Sequence, residues 1–119
     1  MGLAEWRRSS KPDSTKIFGH GKIDFFAIGG GVVRRFTLLP GWRWSQDMGP
    51  VAGAGWCEAT HFQYQISGRL HVRLEDGTDF ELDAGDLAVL PAGHDTWVIG
   101  DEPVILVDWY RTSNLAKRG

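Results

Sequence analysis

The segment GDLAVLPAGHDTW, residues 85–97, organises the reading of the whole chain. Its apolar run Leu87–Leu90 predicts a short buried strand. Pro91 ends that strand, because proline has no N–H to give to a ladder. Ala92-Gly93 completes a turn, and His94 stands where the next strand begins. A histidine at the mouth of a strand pair is placed to bind a metal or move a proton. It can equally serve the turn by hydrogen-bonding locally.

Working outward, turn signals recur every eight to twelve residues. Gly29-Gly30-Gly31, Pro40-Gly41, Ser67-Gly68, Asp76-Gly77, Ala84-Gly85 and Gly100-Asp101 separate short apolar or alternating runs. Ile23–Ile28, Val32–Leu39, Cys57–Ile66, Leu70–Leu74, Phe80–Leu82 and Val104–Tyr110 read as strands. In Leu70-Val72-Leu74 the apolar positions alternate with Arg69, His71, Arg73 and Glu75, predicting a half-buried strand with a charged outer face. The triple glycine reads as a hairpin turn, since neither a Lys-Ser/Thr pair nor a helical pattern follows it. Residues 45–56 read as a loop, and no long helical period occurs anywhere. About eight short strands predict an all-β sandwich or barrel. Residues 1–22 are polar and read as an N-terminal arm that Trp6, Ile17 or Phe18 pins down; 23–110 read as the barrel and 111–119 as a tail.

Composition narrows the function. A length of 119 residues with 42% hydrophobic content suffices for one core and one domain. A net charge of −2 leaves no electrostatic footprint for nucleic acid or an anionic membrane. No apolar run has the length of a membrane span, and the N-terminus lacks the apolar segment of a secretory signal. The single cysteine, Cys57, has no internal disulfide partner and fits a reducing compartment. The expectation is a cytoplasmic protein.

The Gly68 turn together with Gly85-Asp86 through Pro91-Ala92-Gly93 resembles the two motif blocks of the small single-domain cupins, over about Val33 to Tyr110. The first block departs from the family. Where its first histidine falls, counted from Gly41, stands Asp47; its second falls at Cys57; its glutamate, counted back from Gly68, falls at His61. The second block's histidine falls at Thr96, two residues after His94. The stretches Pro40–Ser45 and Gly93–Pro103 look like a bacterial cupin subgroup of unassigned function. The resemblance implies a double-stranded β-helix, the jelly-roll cupin barrel, often dimeric. It also implies a pocket that in many cupins holds a divalent transition metal (zinc, iron, nickel, manganese or copper) for oxygenase or isomerase chemistry.

Under that alignment His61 points into the barrel, and on a strand Gln63 and Gln65 point with it. The alternation alone fits the inverse register, with Phe62, Tyr64 and Ile66 inside. Cys57, His61 and His94 form a ligand set that suits zinc, nickel, copper or iron better than magnesium or calcium. On a continuous strand Cys57 and His61 would lie about 13 Å apart, so shared ligation needs a bulge or bend near Ala59; otherwise Cys57 is a small buried hydrophobe. Asp47 offers a carboxylate or is a solvated loop residue. His20 and His71 read as solvent-exposed. Trp44, Trp97 and Tyr64 join Gln63 and Gln65 as expected pocket residues, with Asp95 orienting His94 or capping the turn. Three readings follow: a metal-binding cupin acting on a small organic substrate; a metal-free small-molecule binding or sensor module; and a β-domain whose arm and aromatic face make a homodimer.

Overall fold

Period-two alternation is converted into two antiparallel sheets. The structure, a computed structural model, describes residues 4–110; the expected tail at 111–119 lies outside them. The strands are β1 (Ser14–Phe18), β2 (Gly21–Ile28), β3 (Gly31–Leu38), β4 (His61–Ser67), β5 (Arg69–Leu74), β6 (Asp79–Leu82), β7 (Leu87–Leu90), β8 (His94–Ile99) and β9 (Val104–Tyr110). One sheet has the order β1-β2-β3-β9-β4-β7, the other β6-β5-β8. This is the jelly roll that the cupin resemblance implies, where the strand pattern alone predicts only a sandwich or barrel.

The inward faces meet in one core. Phe36, Leu38 and Leu106 of the large sheet pack with Leu70, Val72 and Val98 of the small one. The core-facing residues of β3 (Arg34, Phe36, Leu38) and β9 (Val104, Leu106, Asp108) share one parity each, so a charged residue in either set is carried inside with its apolar neighbours. On the small sheet, Arg69 pairs with Glu81 at 2.7 Å and Arg73 with Asp79 at 2.9 Å, which makes the predicted charged outer face.

Three expectations are corrected. Residues 14–18 of the arm are a strand, because the β-prone STKIF segment doubles back on β2 through Gly19-His20. Before it, Asp13 accepts a bond from Ala27 N at 2.8 Å, and Arg7 and Ser9 line a hollow with Phe26, Ile28, Val33 and Arg35, so this segment covers the outer face of β2 and β3. Trp6 and Ile17 remain exposed, and of the three expected anchors only Phe18 packs against the core. Within the loop, two single helical turns form, α1 (Trp44–Asp47) and α2 (Gly49–Ala52).

Gly68 is required where it stands. It has φ +76°, and a Cβ there would come within 2.6 Å of Pro103 O and 2.8 Å of Val104 Cα. The β4–β5 corner therefore closes directly on β9.

Candidate functional site

Inside the barrel a cavity of about 230 Å³ opens partly to solvent. Its walls are mostly apolar, with Phe36, Trp42, Trp44 and Leu106 among them; its polar residues are Arg34, Cys57, His61, Gln63, His94 and Thr96. Among the described residues no aspartate or glutamate lines it.

The turn read first in the sequence places His94. Gly93, at φ +86°, turns the chain into β8. His94 Nδ1 lies 2.6 Å from Pro91 O. A carbonyl only accepts, so Nδ1 carries a proton and Nε2 is the ring nitrogen left for the cavity. His94 and Thr96 are two apart on β8 and both line the cavity. A histidine moved back by two residues therefore stays on the inward face, where a shift of one would have turned it out.

Cys57 is not part of β4. It forms an isolated bridge to His94, with Cys57 N donating to His94 O at 2.7 Å and Gly93 N donating to Cys57 O at 2.7 Å. Residues 58–60 leave strand geometry before β4 begins at His61. The 13 Å separation of a continuous strand therefore does not arise: Cys57 Sγ lies 3.8 Å from His61 Nε2.

His61 is held from behind. Its Nδ1 lies 2.8 Å from Asp108 Oδ2. Arg34 grips the same carboxylate through both oxygens, Nε to Oδ1 at 2.8 Å and Nη2 to Oδ2 at 2.6 Å. Asp108 is 1% exposed. The chain Arg34–Asp108–His61–Cys57 thus runs across three adjacent strands into the cavity. Burial opposes ionisation of the Cys57 thiol, but hydrogen bonds from His61 and His94 outweigh it and bring the thiol down to about 6. Burial likewise opposes charge on His61, and Asp108 with Cys57 overcomes it, raising the imidazole to about 8. Without metal, thiolate and imidazolium face each other at neutral pH.

The donor set fits a metal. With both Nδ1 atoms engaged, each ring has Nε2 left to offer. One ligand atom from each of Cys57, His61 and His94 lies within 4.8 Å of the others. Tetrahedral bonds of ~2.0–2.3 Å set ligand atoms about 3.3–3.8 Å apart, so the group needs only a small contraction. Each histidine also has its second nitrogen fixed by a carbonyl or carboxylate, the arrangement that orients metal-binding imidazoles.

The other expected site residues divide. Gln63 and Trp44 line the cavity. Gln65 is buried but turned to the corner, donating to Gly68 O at 2.8 Å and Leu82 O at 2.9 Å. Tyr64 is on the outer face of β4, since Gln63 and Gln65 occupy the inner parity; Phe62 and Ile66 are outside with it. Trp97 has the opposite parity to His94 and stacks on His71 at 4.4 Å outside the barrel, so His71 is half-buried. Asp47 is outside the cavity lining: it receives Arg43 N at 2.9 Å and faces His20 Nδ1 at 2.9 Å. Asp95 accepts from Ser45 N and Arg43 Nε at 3.0 Å each, which ties β8 to α1. Arg34 and Asp108 were not foreseen as site residues, although each breaks an apolar run at the core parity of its strand.

Residues 47–105 match the family model described as EutQ-like cupin domain. No curated protein sequence matches the chain. Among solved structures, KdgF from a Halomonas species is 14% identical, with 96% of this chain and 99% of that one covered and a TM-score of 0.66. An oxalate decarboxylase from Lactobacillus farciminis, in a formate complex, is 21% identical with a TM-score of 0.61 over 82% of this chain. The chain spans 30% of that enzyme's length. A cupin-2 domain from Rhodospirillum rubrum is 17% identical with a TM-score of 0.60, covering 91% of this chain and 67% of that one. At such identities the likeness is one of fold. Taken with the barrel and the Gly85–Gly93 block, these matches show that the chain belongs to the cupins.

Proposed function

We propose that the barrel binds one divalent transition metal through Cys57 Sγ, His61 Nε2 and His94 Nε2 and takes a small organic substrate in the adjoining cavity. The observation that carries this reading is the convergence of three ligand atoms whose histidine partners are already fixed, in a cavity with room beside them. Three protein ligands leave a coordination position open. A metal so held supplies Lewis-acid polarisation of a bound oxygen. The chain's own part is to present both Nε2 atoms, to hold Cys57 ionised and to exclude water with the aromatic walls. A thiolate ligand must stay reduced, which accords with a cytoplasmic setting. Among the described residues no helix is long and apolar enough to cross a membrane.

Elemental analysis of protein purified without chelator tests the reading, beside the double variant His61→Ala/His94→Ala. Near-stoichiometric metal in the parent and its loss in the variant are expected. A parent that stays empty after reconstitution with iron, nickel or zinc overturns it. The second reading, a metal-free binding module, is favoured by the departures from the family's first motif block at Asp47 and Cys57.

The chain is proposed to work as a homodimer. Phe62, Tyr64, Ile66, Leu87, Val89 and Trp109 are all at least 37% exposed, and Phe62 and Trp109 are in ring contact at 5.1 Å. Phe62 pairs with Val89 and Tyr64 with Leu87 across β4 and β7, so these four share one outer face. The N-terminal segment covers the β2–β3 half of that sheet, and this half is open. The patch is on the order of 600 Å², most of the ~800 Å² that each partner gives a standard interface. None of the six carries a charge needing a complement, so a second copy fits it. Light scattering is expected to give about twice the 13.2 kDa chain mass, falling to the monomer in Phe62→Ser/Val89→Lys; a monomeric parent at tens of micromolar refutes the dimer.

A further inference from the structure

The strand registers sort the cavity wall by depth. In the large sheet Arg34 stands opposite Asp108 and Asp108 opposite Gln63; further along, Phe36 stands opposite Leu106 and Leu38 opposite Val104. In the small sheet Leu74 pairs with His94 and Val72 with Thr96; further along, Leu70 pairs with Val98. The two gradients point the same way. Cys57 bridges His94, and its sulfur is 3.8 Å from His61 at the start of β4, so the polar ends of the sheets coincide. At the other end of β4 the Gly68 corner leads straight into β5 and Leu70, so the apolar ends coincide as well. Ile23 pairs with Phe36 and joins the apolar end. The cavity spans both: Cys57, His61, Gln63, His94 and Thr96 line one end, and Ile23, Phe36, Leu38, Leu70 and Leu106 line the other.

The second end is hydrocarbon. Two side-chain polar groups lie at its depth, and neither is presented to the space. Trp42, whose carbonyl receives Val98 N at 3.1 Å, has its Nε1 covered by protein. Gln65 is outside the lining, its amide donating to Gly68 O at 2.8 Å and to Leu82 O at 2.9 Å. A ligand that fills the cavity therefore finds polar partners for one of its ends only. A polar group at the other end would give up its water for hydrocarbon, with no hydrogen bond in return. An apolar body there gains about fourfold in affinity for each methylene taken out of water. At ~30 Å³ per water-sized group, the 230 Å³ cavity has room for roughly eight non-hydrogen atoms. Among the described residues no carboxylate lines the wall, so an ammonium group has no counter-ion at either end. Placing the ligand's head on the metal's open position rests on the metal reading above; the one-ended polarity does not.

We propose that the cavity selects a small molecule that is polar at one end only, with an oxygen-bearing head toward His61 and His94 and a hydrocarbon body against Phe36, Leu38, Leu70 and Leu106, and that it rejects polyols and difunctional acids.

Zinc-reconstituted full chain is titrated by calorimetry with hydroxamates, which keep one head and vary the body. Acetohydroxamate, butanohydroxamate and hexanohydroxamate lengthen the hydrocarbon; 6-hydroxyhexanohydroxamate and 6-aminohexanohydroxamate add a polar group at its far end. Affinity is expected to rise about fourfold per methylene up to hexanohydroxamate. The terminal hydroxyl is expected to weaken binding by about 10- to 100-fold, and the terminal ammonium by more. Leu106→Phe fills the apolar end. It is expected to bring hexanohydroxamate down to the affinity of acetohydroxamate with zinc content unchanged. Ile23→Phe is the second variant should Leu106→Phe fail to fold. Affinity independent of chain length, a terminal hydroxyl without penalty, no saturable binding of any hydroxamate, or an unchanged length dependence in a folded filled variant each overturns the proposal. The same series on chelator-treated protein separates the two readings. Zinc at stoichiometry without length dependence sinks this inference alone. Length dependence and a hydroxyl penalty in protein that never takes up zinc sink the metal reading and leave this one standing.

Discussion

Asp108→Ala lowers the melting temperature by on the order of 10–20 °C and abolishes tight metal retention. Asp108 is 1% exposed and is held by Arg34 at 2.6 and 2.8 Å and by His61 at 2.8 Å. Its removal breaks the buried Arg34–Asp108 pair from one side, a loss of about 3–5 kcal/mol. Calorimetry of the purified variant checks the magnitude. The pair itself is a poor stabiliser, because both charges lose hydration, so Arg34→Met/Asp108→Leu recovers a good part of the melting temperature. Metal does not return with it, since His61 still lacks the carboxylate that orients its ring. A double variant that melts like the parent and also holds metal would show that the Arg34–Asp108 pair has no role in the site.

In chelator-stripped protein, alkylation of Cys57 by iodoacetamide rises with pH through an inflection near 6, not near the thiol's ordinary 9.0. The nucleophile is the thiolate, so the rate follows its fraction upward as pH increases. His61 is the larger of the hydrogen-bonding contributions that lower the thiol, and His94 adds to it against the opposing effect of burial. Removing both histidines returns the inflection toward 9.0. At pH 7 the thiolate fraction then falls from about nine-tenths to about one-hundredth, so alkylation slows nearly 100-fold. His61→Ala alone gives an intermediate rate. Reloading the parent with zinc protects Cys57 across the whole range, because the sulfur becomes a ligand. A pH profile unchanged by the double substitution would remove the coupling of Cys57 to the two histidines.

How the sequence carried this information differs from residue to residue. The turn Pro91-Ala92-Gly93 and the strand start at His94 were legible, because proline and a left-handed glycine act locally. The inner face of β4 was legible through the family alignment and not from alternation. Gln63 and Gln65 look like solvent residues, and Phe62, Tyr64 and Ile66 look like core, yet the packing of the whole sheet chose the reverse. Gln63 and Tyr64 have opposite parities, so a regular strand cannot turn both into the pocket. His94 and Trp97 conflicted in the same way. The closeness of Cys57 to His61 was hidden because residues 58–60 leave the strand, and a bend leaves no periodic trace. Arg34 and Asp108 did leave one: each shares the parity of buried neighbours, Arg34 with Phe36 and Leu38, Asp108 with Val104 and Leu106. A charge on the core parity of a strand was the signal to read.

The strand register has a kinetic consequence. Arg34 stands opposite Asp108, and Asp108 opposite Gln63, so two adjoining rungs across β3, β9 and β4 are also the scaffold of the cavity wall. These rungs join residues 74 and 45 positions apart in the chain, and His61 is 47 from the aspartate that orients it. Contacts of such separation close late, after loop entropy has been overcome. A slip of one residue by β9 would turn Asp108 out to solvent and a valine or tryptophan in. The last strand to dock therefore decides at once whether the sheet is correctly paired and whether the site exists, and a collapsed chain with β9 misregistered would be compact but inert.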